Sequence, residues 1–299
     1  MRRFNVTGLC VPGKHYMVDI GVKLAQIREM VDRGEYFIIN RARQYGKTTT
    51  LSLLKKMLKD EYIVTSISFE GLGDESFVSS AAFCRVFLTL IFEALEFINV
   101  PDKYKKSWLN DDVIDFKGLS SHITMMCKPA EVNFGKKLVL MINEVDKTSN
   151  NRTCLHFLGM LRDKYLKREQ NEDHTFHSVI LAGVYDIKNI KLKMINEGAY
   201  APMPTENIIF NSPWNIAADF KIDMSFGPSE ITSILAEYES DYKTGMDVPA
   251  ISDRICGYIN KKCFTTGYLL TFDFRKGVNK RPCAEWVSYD GKRIFDVVV

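Results

Sequence analysis

The sequence predicts an α/β fold: a parallel sheet flanked by helices, then a short helical segment and a β tail. Three observations carry this reading. Strand-like and helix-like segments alternate along most of the chain, the pattern of a parallel sheet wrapped on both sides. Residues 137–142 (Lys-Leu-Val-Leu-Met-Ile) form a nearly continuous apolar run, as expected of a parallel strand buried on both faces. Residues 36–39 (Tyr-Phe-Ile-Ile) lead into a basic turn and then a helical pattern carried by Leu51, Leu53, Leu54, Met57 and Leu58.

Taken in order, residues 22–31 have helical spacing, with Leu24, Ile27, Met30 and Val31 on one side, and Gly34 ends that helix. Residues 36–40 form the first core strand. Residues 62–69 are rich in β-branched side chains and read as the second. Residues 77–98 form a long apolar-periodic helix, 119–127 another, and 137–142 the third strand. A helix over 151–167 precedes a fourth strand at 178–183, and a fifth strand is expected at 220–224. Pro228-Ser229-Glu230 then starts a helix by the capping rules, and 250–260 is a second helix. The tail has strand-like runs at 267–274, 285–289 and 293–299, with Asp290-Gly291 as a hairpin turn, and is expected to be a three-stranded antiparallel sheet. The domains so drawn are a core over 1–226, a partial helical lid over 227–262 and a β tail over 263–299.

Bulk properties exclude several classes. The chain has 299 residues, 46% hydrophobic and 26% charged, which is enough for a substantial core. No apolar run approaches the length of a membrane span and no signal-peptide core follows Met1, so a cytoplasmic protein without membrane partners is expected. Seven cysteines without a Cys-x-x-Cys pair argue for reduced thiols rather than structural zinc. His15, His122, His156, His174 and His177 show neither metal nor triad spacing. The net charge of +3 is small, although residues 261–299 alone carry eight Lys and Arg against four Asp and Glu. That tail could favour nucleic acid, but eight cations on a short β-meander are more often a solvated edge that resists aggregation.

The basic turn is the chemically informative segment. Arg41-Ala42-Arg43-Gln44-Tyr45-Gly46-Lys47-Thr48-Thr49 lies between a strand and a helix, the setting of a phosphate-binding P-loop. Backbone N–H groups and a helix N-terminus present partial positive charge there, and Lys47 adds a full one. Thr48 offers a hydroxyl to Mg²⁺. The usual first glycine of the loop is Arg41. The ordinary alternative is a basic turn capping a surface helix. A P-loop needs an acidic strand end as its second half, and the third strand delivers Asn143-Glu144-Val145-Asp146. Glu144 is placed as the base that polarises attacking water, and Asn143 stands at the magnesium position. An amide can accept a hydrogen bond from metal-bound water but brings no charge against the ion, so weaker metal affinity and slower turnover are expected. Glu144 and Asp146 could instead cap the following helix, and for Asp146 both readings stay open. Tyr185 and Asp186, past the fourth strand, either sense the γ-phosphate or simply leave the sheet. Arg43, Arg152 and Arg162 are candidate arginine fingers.

With these residues in place, the chain resembles a family of bacterial AAA-like P-loop ATPases often fused to a C-terminal PD-(D/E)XK nuclease-like domain. The matching segments are 4–10, 14–19, 40–50, 68–73 and 211–220, so the resemblance covers roughly residues 2–260. It implies an AAA-like P-loop NTPase fold with ATP and Mg²⁺ as cofactors, and it makes Arg41 an ordinary variant. The acidic strand of such relatives typically ends Asp-Glu-Val-Asp, so Asn143 is a departure that bears on hydrolysis more than on binding. By the same resemblance, the segment from His15 and Tyr16 to Asp19 borders the adenine. The tail is similar to the last strands of the nuclease-like domain. The segment between 260 and 267 leaves no room for that fold's catalytic carboxylates and lysine, so nuclease activity is not expected. The lid is correspondingly truncated. The expectation is an ATP-binding, slow Mg²⁺-dependent ATPase. The alternative is a non-hydrolysing nucleotide-dependent module acting through a homo-oligomer or a protein partner.

Overall fold

The chain divides into two compact units, one of Val6–Val11 and Ile20–Met224, the other of Met1–Asn5, Pro12–Asp19 and Ser225–Val299. The computed structural model describes residues 2–5, 8–40, 46–98, 100–101, 105, 113, 115–145, 152–183, 214–260, 266–271, 284–289 and 292–298.

The larger unit runs α1 (Gly21–Asp32), β1 (Tyr36–Asn40), α2 (Lys47–Leu58), β2 (Ile63–Ser68), a 3₁₀ turn (Asp74–Phe77), α3 (Ser80–Glu96), α4 (Phe116–Phe134), β3 (Leu138–Asn143), α5 (Arg152–Glu169) and β4 (Ser178–Gly183). The four strands form an all-parallel sheet in the order β1-β4-β3-β2. The apolar runs explain the burial: β4 is buried at every position, and β3 at every position but its last. From β1 the chain crosses two strands to reach β2, then returns through β3 to β4. Right-handed crossovers therefore send α2 to one face and the later helices to the other. The packing follows. Tyr36, Ile38, Leu140, Ile142, Val179 and Leu181 share one core with Phe87 of α3, Ile123 of α4 and Leu161 of α5. The intervening Phe37, Ile39, Val139, Met141 and Ile180 are buried on the opposite side, where α2 lies against β2 and α1 packs on α2. Phe83 anchors the first of these cores, meeting Phe69, Phe77, Phe87, Phe116 and Phe157 at centroid distances of 5.0–6.1 Å. Each such ring pair adds about 0.5–1.5 kcal/mol beyond area burial.

Two expectations for this unit need correction. The helix expected at 119–127 extends to Phe134 and contains Pro129, a residue that normally stops a helix. Burial of Met126, Cys127 and Ala130 on its inner side outweighs the local penalty, and Gly135 in the left-handed region ends it. The fifth strand expected at 220–224 does not form. Among the described residues, β1 has on this side a single parallel bridge, Ala218 to Phe37, with the Ala218 N–H donating to the Tyr36 carbonyl at 2.8 Å. Residues 220–224 keep an alternating burial pattern without a ladder partner. Period-two patterning reports which side chains face inward and does not by itself supply a neighbouring strand.

In the second unit, α6 (Pro228–Tyr242) and α7 (Val248–Asn260) pack through Ile231, Leu235 and Cys256. Pro228 opens α6, and the Gly227 N–H donates to Glu230 Oε2 at 2.6 Å. The N-terminal residues belong with this pair. Arg2 bonds Glu237 at 2.5 Å and Asp241 at 3.0 Å, the Tyr16 hydroxyl donates to Asp241 at 2.6 Å, and Phe4, Tyr16 and Tyr238 cluster at 5.1–5.5 Å. The tail strands β5 (Thr266–Thr271), β6 (Ala284–Tyr289) and β7 (Lys292–Val298) form a separate sheet in the order β5-β7-β6. β6 and β7 are antiparallel, but β5 pairs parallel with β7, so the tail is a mixed sheet rather than the antiparallel one expected. The two-residue link between β6 and β7 forces antiparallel neighbours. The longer segment between β5 and β6 imposes no such direction.

A buried ion pair locks the amino end of β4. Lys164, fully buried on α5, donates to Asp173 Oδ2 at 2.6 Å and to Thr124 Oγ1 at 2.7 Å. Thr124 donates to Asp173 Oδ1 at 2.6 Å, and the His174 N–H does so at 2.7 Å. Burial pushes the Asp173 carboxyl up, but the bonds from Lys164 and Thr124 outweigh it and hold the pKa below the usual carboxylate value. A depressed native pKa contributes stability above the unfolded value of about 3.9, and that contribution is lost as pH falls through the lower native value. Asp173→Asn strands Lys164 as a buried, unpaired cation and should cost about 3–5 kcal/mol in urea unfolding at neutral pH. The gap between variant and parent should narrow in acid.

Candidate functional site

Of the residues singled out from the sequence, Gly46 to Thr49 open the helix that follows β1, and Asn143 and Glu144 stand at the carboxyl end of β3. Asn40 is opposite Gly183, and Leu181 is opposite both Ile38 and Ile142, so the ends of β1, β4 and β3 lie nearly level. Neighbouring strands are about 4.8 Å apart, which sets the ends of β1 and β3 about 10 Å from each other with β4 between. α2 and α5 leave these strands toward opposite faces, and the region beyond the carboxyl ends of the strands is the usual place for a ligand in an open α/β sheet.

On the β1 side, Arg41, Ala42, Arg43, Gln44 and Tyr45 lie outside the described residues. Gly46, the residue before α2, is left-handed at φ 73°. An added Cβ there would meet nothing within 4 Å, so the backbone conformation is what requires glycine. Lys47 is the first residue of α2 and only 6% exposed. A cation that merely capped a surface helix would be solvated, and Lys47 is not. Thr48 is exposed, while Thr49 Oγ1 accepts the N–H of Cys10 at 3.2 Å and so ties the segment of residues 8–11 to the first turn of α2.

On the β3 side, Asn143 sits opposite Ser68, and its carbonyl accepts the Phe69 N–H at 3.0 Å. The side-chain Oδ1 of Asn143 is buried and has no hydrogen-bond partner among the described residues. Glu144 follows with φ 54°, one of three non-glycine residues with positive φ among those described. The backbone therefore turns sharply as it leaves the sheet, before Val145 is buried in the core. Asp146, Tyr185 and Asp186 lie outside the described residues.

The candidate arginines separate. Arg152 begins α5, near the carboxyl end of β3, whereas Arg162 lies ten residues further along the helix, about 15 Å away at 1.5 Å per residue. Tyr16 belongs to the other unit. Its ring is 2% exposed against Phe4 and Tyr238 in the other unit, and burial followed by its bond to Asp241 pushes the phenol to about 12. The Cys10–Thr49 bond was invisible in the sequence, because no local pattern marks a backbone donor 39 residues from its acceptor. The left-handed Glu144 likewise has no sequence signal, since glycine or asparagine would be the residue expected to mark such a turn.

Among the described residues no group of three or more His, Cys, Asp and Glu side chains could hold a metal ion by itself. No described helix is long and apolar enough to cross a membrane. Compared with known proteins, the chain matches no family model and no curated protein.

The turn at Glu144 is one that glycine makes at lower cost. A non-glycine residue in the left-handed region costs about 1–2 kcal/mol. Glu144→Gly should therefore keep or raise the urea midpoint, while Glu144→Ala should leave the strain in place and gain nothing.

Proposed function

We propose that this chain is an ATP-binding P-loop protein of the AAA-like type and a slow Mg²⁺-dependent ATPase. The observation that carries the proposal is the pairing of a buried Lys47, at the start of the helix after β1, with Asn143 and Glu144 at the end of β3. The two sit on either side of β4, at the sheet end where ligands of open α/β sheets bind. Left-handed Gly46 and the N-terminus of α2 suit a polyphosphate, because N–H groups free of helical partners and the helix dipole both favour negative charge.

Asn143 and Thr48 fit a magnesium ion bound together with the nucleotide. The orphaned Oδ1 of Asn143 is an acceptor that metal-bound water would satisfy, and Thr48 carries an exposed hydroxyl. Magnesium would supply charge neutralisation on the phosphate oxygens. In this reading Lys47 holds the β- and γ-phosphates. Glu144, in a backbone conformation unfavourable for its residue type, accepts a proton from the attacking water. The missing carboxylate at Asn143 makes the reaction slow. It is also what favours the second reading, a non-hydrolysing module in which ATP orders an interface with another copy or a partner.

Calorimetric titration with ATP and Mg²⁺ tests the site. Lys47→Ala should abolish the heat of binding, and undiminished affinity would end the proposal. Phosphate release followed over hours separates the two readings, since binding without release selects the module. Asn143→Asp should raise the release rate, because a carboxylate adds charge where the amide has none. An unchanged rate would show that Asn143 does not serve the metal.

A further inference from the structure

At the opposite end of the sheet, the turn before β1, the start of β3 and the loop between α5 and β4 enclose a polar cavity of about 360 Å³. Its lining includes Lys137, His177, Asn171, His174, Arg168 and Glu131. Strands of five to six residues rising about 3.3 Å each place it some 15–20 Å from Lys47.

The charges around it are unevenly spent. The three carboxylates of the lining are all engaged: Asp173 by buried Lys164 at 2.6 Å, Glu169 by Arg168 at 2.9 Å and Glu131 by His174 at 3.2 Å. Arg33 is paired with Glu35 at 2.7 Å. Arg168 also donates to the carbonyls of Gly34, Phe176 and His177, so its guanidinium is saturated. Lys137 is different. Its exposed ammonium has no ion-pair partner among the described residues, and it opens onto the cavity next to the His177 ring. That ring stacks on Tyr62 at 5.5 Å, so its orientation is fixed. Burial first, then Lys137 and Arg168, push the His177 imidazole down to about 4, against an opposing effect of Asp32.

We propose that this cavity is a binding site for a small oxyanion, a phosphate- or carboxylate-sized group, held by the ammonium of Lys137 with the His177 ring and the Asn171 amide as flanking polar groups. Asp173 and Glu169 each already have a cation, and Glu131 is hydrogen-bonded to the His174 ring. Lys137 is the cation of the wall without an ion-pair partner among the described residues, so an oxyanion there gains a charge-assisted donor.

The test is an NMR titration of the full chain with inorganic phosphate, at ionic strength matched with chloride, following the ring resonances of His177. It is repeated in Lys47→Ala, which removes phosphate bound at the loop and makes the result independent of the proposed nucleotide site. A saturable displacement of the His177 signals in both proteins is expected. Lys137→Gln should weaken the apparent affinity about tenfold or more, the scale of one charge-assisted hydrogen bond, and Lys137→Arg should restore most of it. Lys137 is exposed, so neither change threatens the fold. A displacement that grows linearly without saturating, one that disappears in Lys47→Ala, or one unaltered by Lys137→Gln would each overturn the proposal. An acetate titration then distinguishes carboxylate from phosphate as the preferred group.

Discussion

Closing a parallel sheet on both faces is the constraint from which the rest of the core unit follows. With helices on either side, the N–H and C=O groups of β3 and β4 have no water to turn to and must be spent on neighbouring strands. That favours long apolar runs in the middle of the sheet. Right-handed crossovers then decide which helix covers which face: the outward crossing from β1 puts α2 on one side, and the return through β3 and β4 puts α3, α4 and α5 on the other. Polar chemistry is expelled from the faces and is left with the two ends of the sheet. The carboxyl end holds Lys47, Asn143 and Glu144, and the amino end holds the Lys164–Asp173 pair and the cavity beside it.

How far the sequence could be read depends on whether the deciding force was local. The strands at 36–40 and 178–183 were legible because apolar runs of that length, bounded by turn residues, leave few options. The helix through Pro129 was not, because a proline penalty is local while the burial of Met126 and Ala130 against the sheet is tertiary. Residues 220–224 show the converse. Their alternation is real and records one inward side, yet ladder hydrogen bonds require a partner at the right distance, and among the described residues of this segment Ala218 alone has a bridge to β1. In the tail a link of only two residues fixed the β6–β7 pairing. The direction of β5 is set by a connection too long to constrain it.

The candidate site divides in the same way. Residue types and their order along the chain were visible: glycine and lysine at a strand-to-helix turn, amide and carboxylate at a strand end. That the two lie on either side of β4 was not, because strand order is a property of the whole sheet. Nor could the sequence show that Lys47 is buried or that Glu144 adopts a left-handed backbone. The cavity at the amino end left no motif at all. Lys137 opens the approach to β3, whereas Asn171 and His177 both belong to the α5–β4 loop, and no local pattern links the two segments.

Two adjacent features at the end of β3 each cost free energy: an amide oxygen buried without a donor, and a glutamate in the left-handed region. An unsatisfied buried acceptor costs about 1–3 kcal/mol, whereas a buried, unpaired carboxylate at the same place would cost considerably more. Asparagine is thus the less expensive occupant whenever no cation is present. The same neutrality weakens the hold on a cation when one arrives, since an amide contributes a dipole where a carboxylate contributes a charge. Under the proposed reading, one substitution therefore sets both properties in opposite directions. It makes the site easier to leave empty and slower to turn over, which shifts the balance of the loop and strand end toward holding a nucleotide rather than cleaving it.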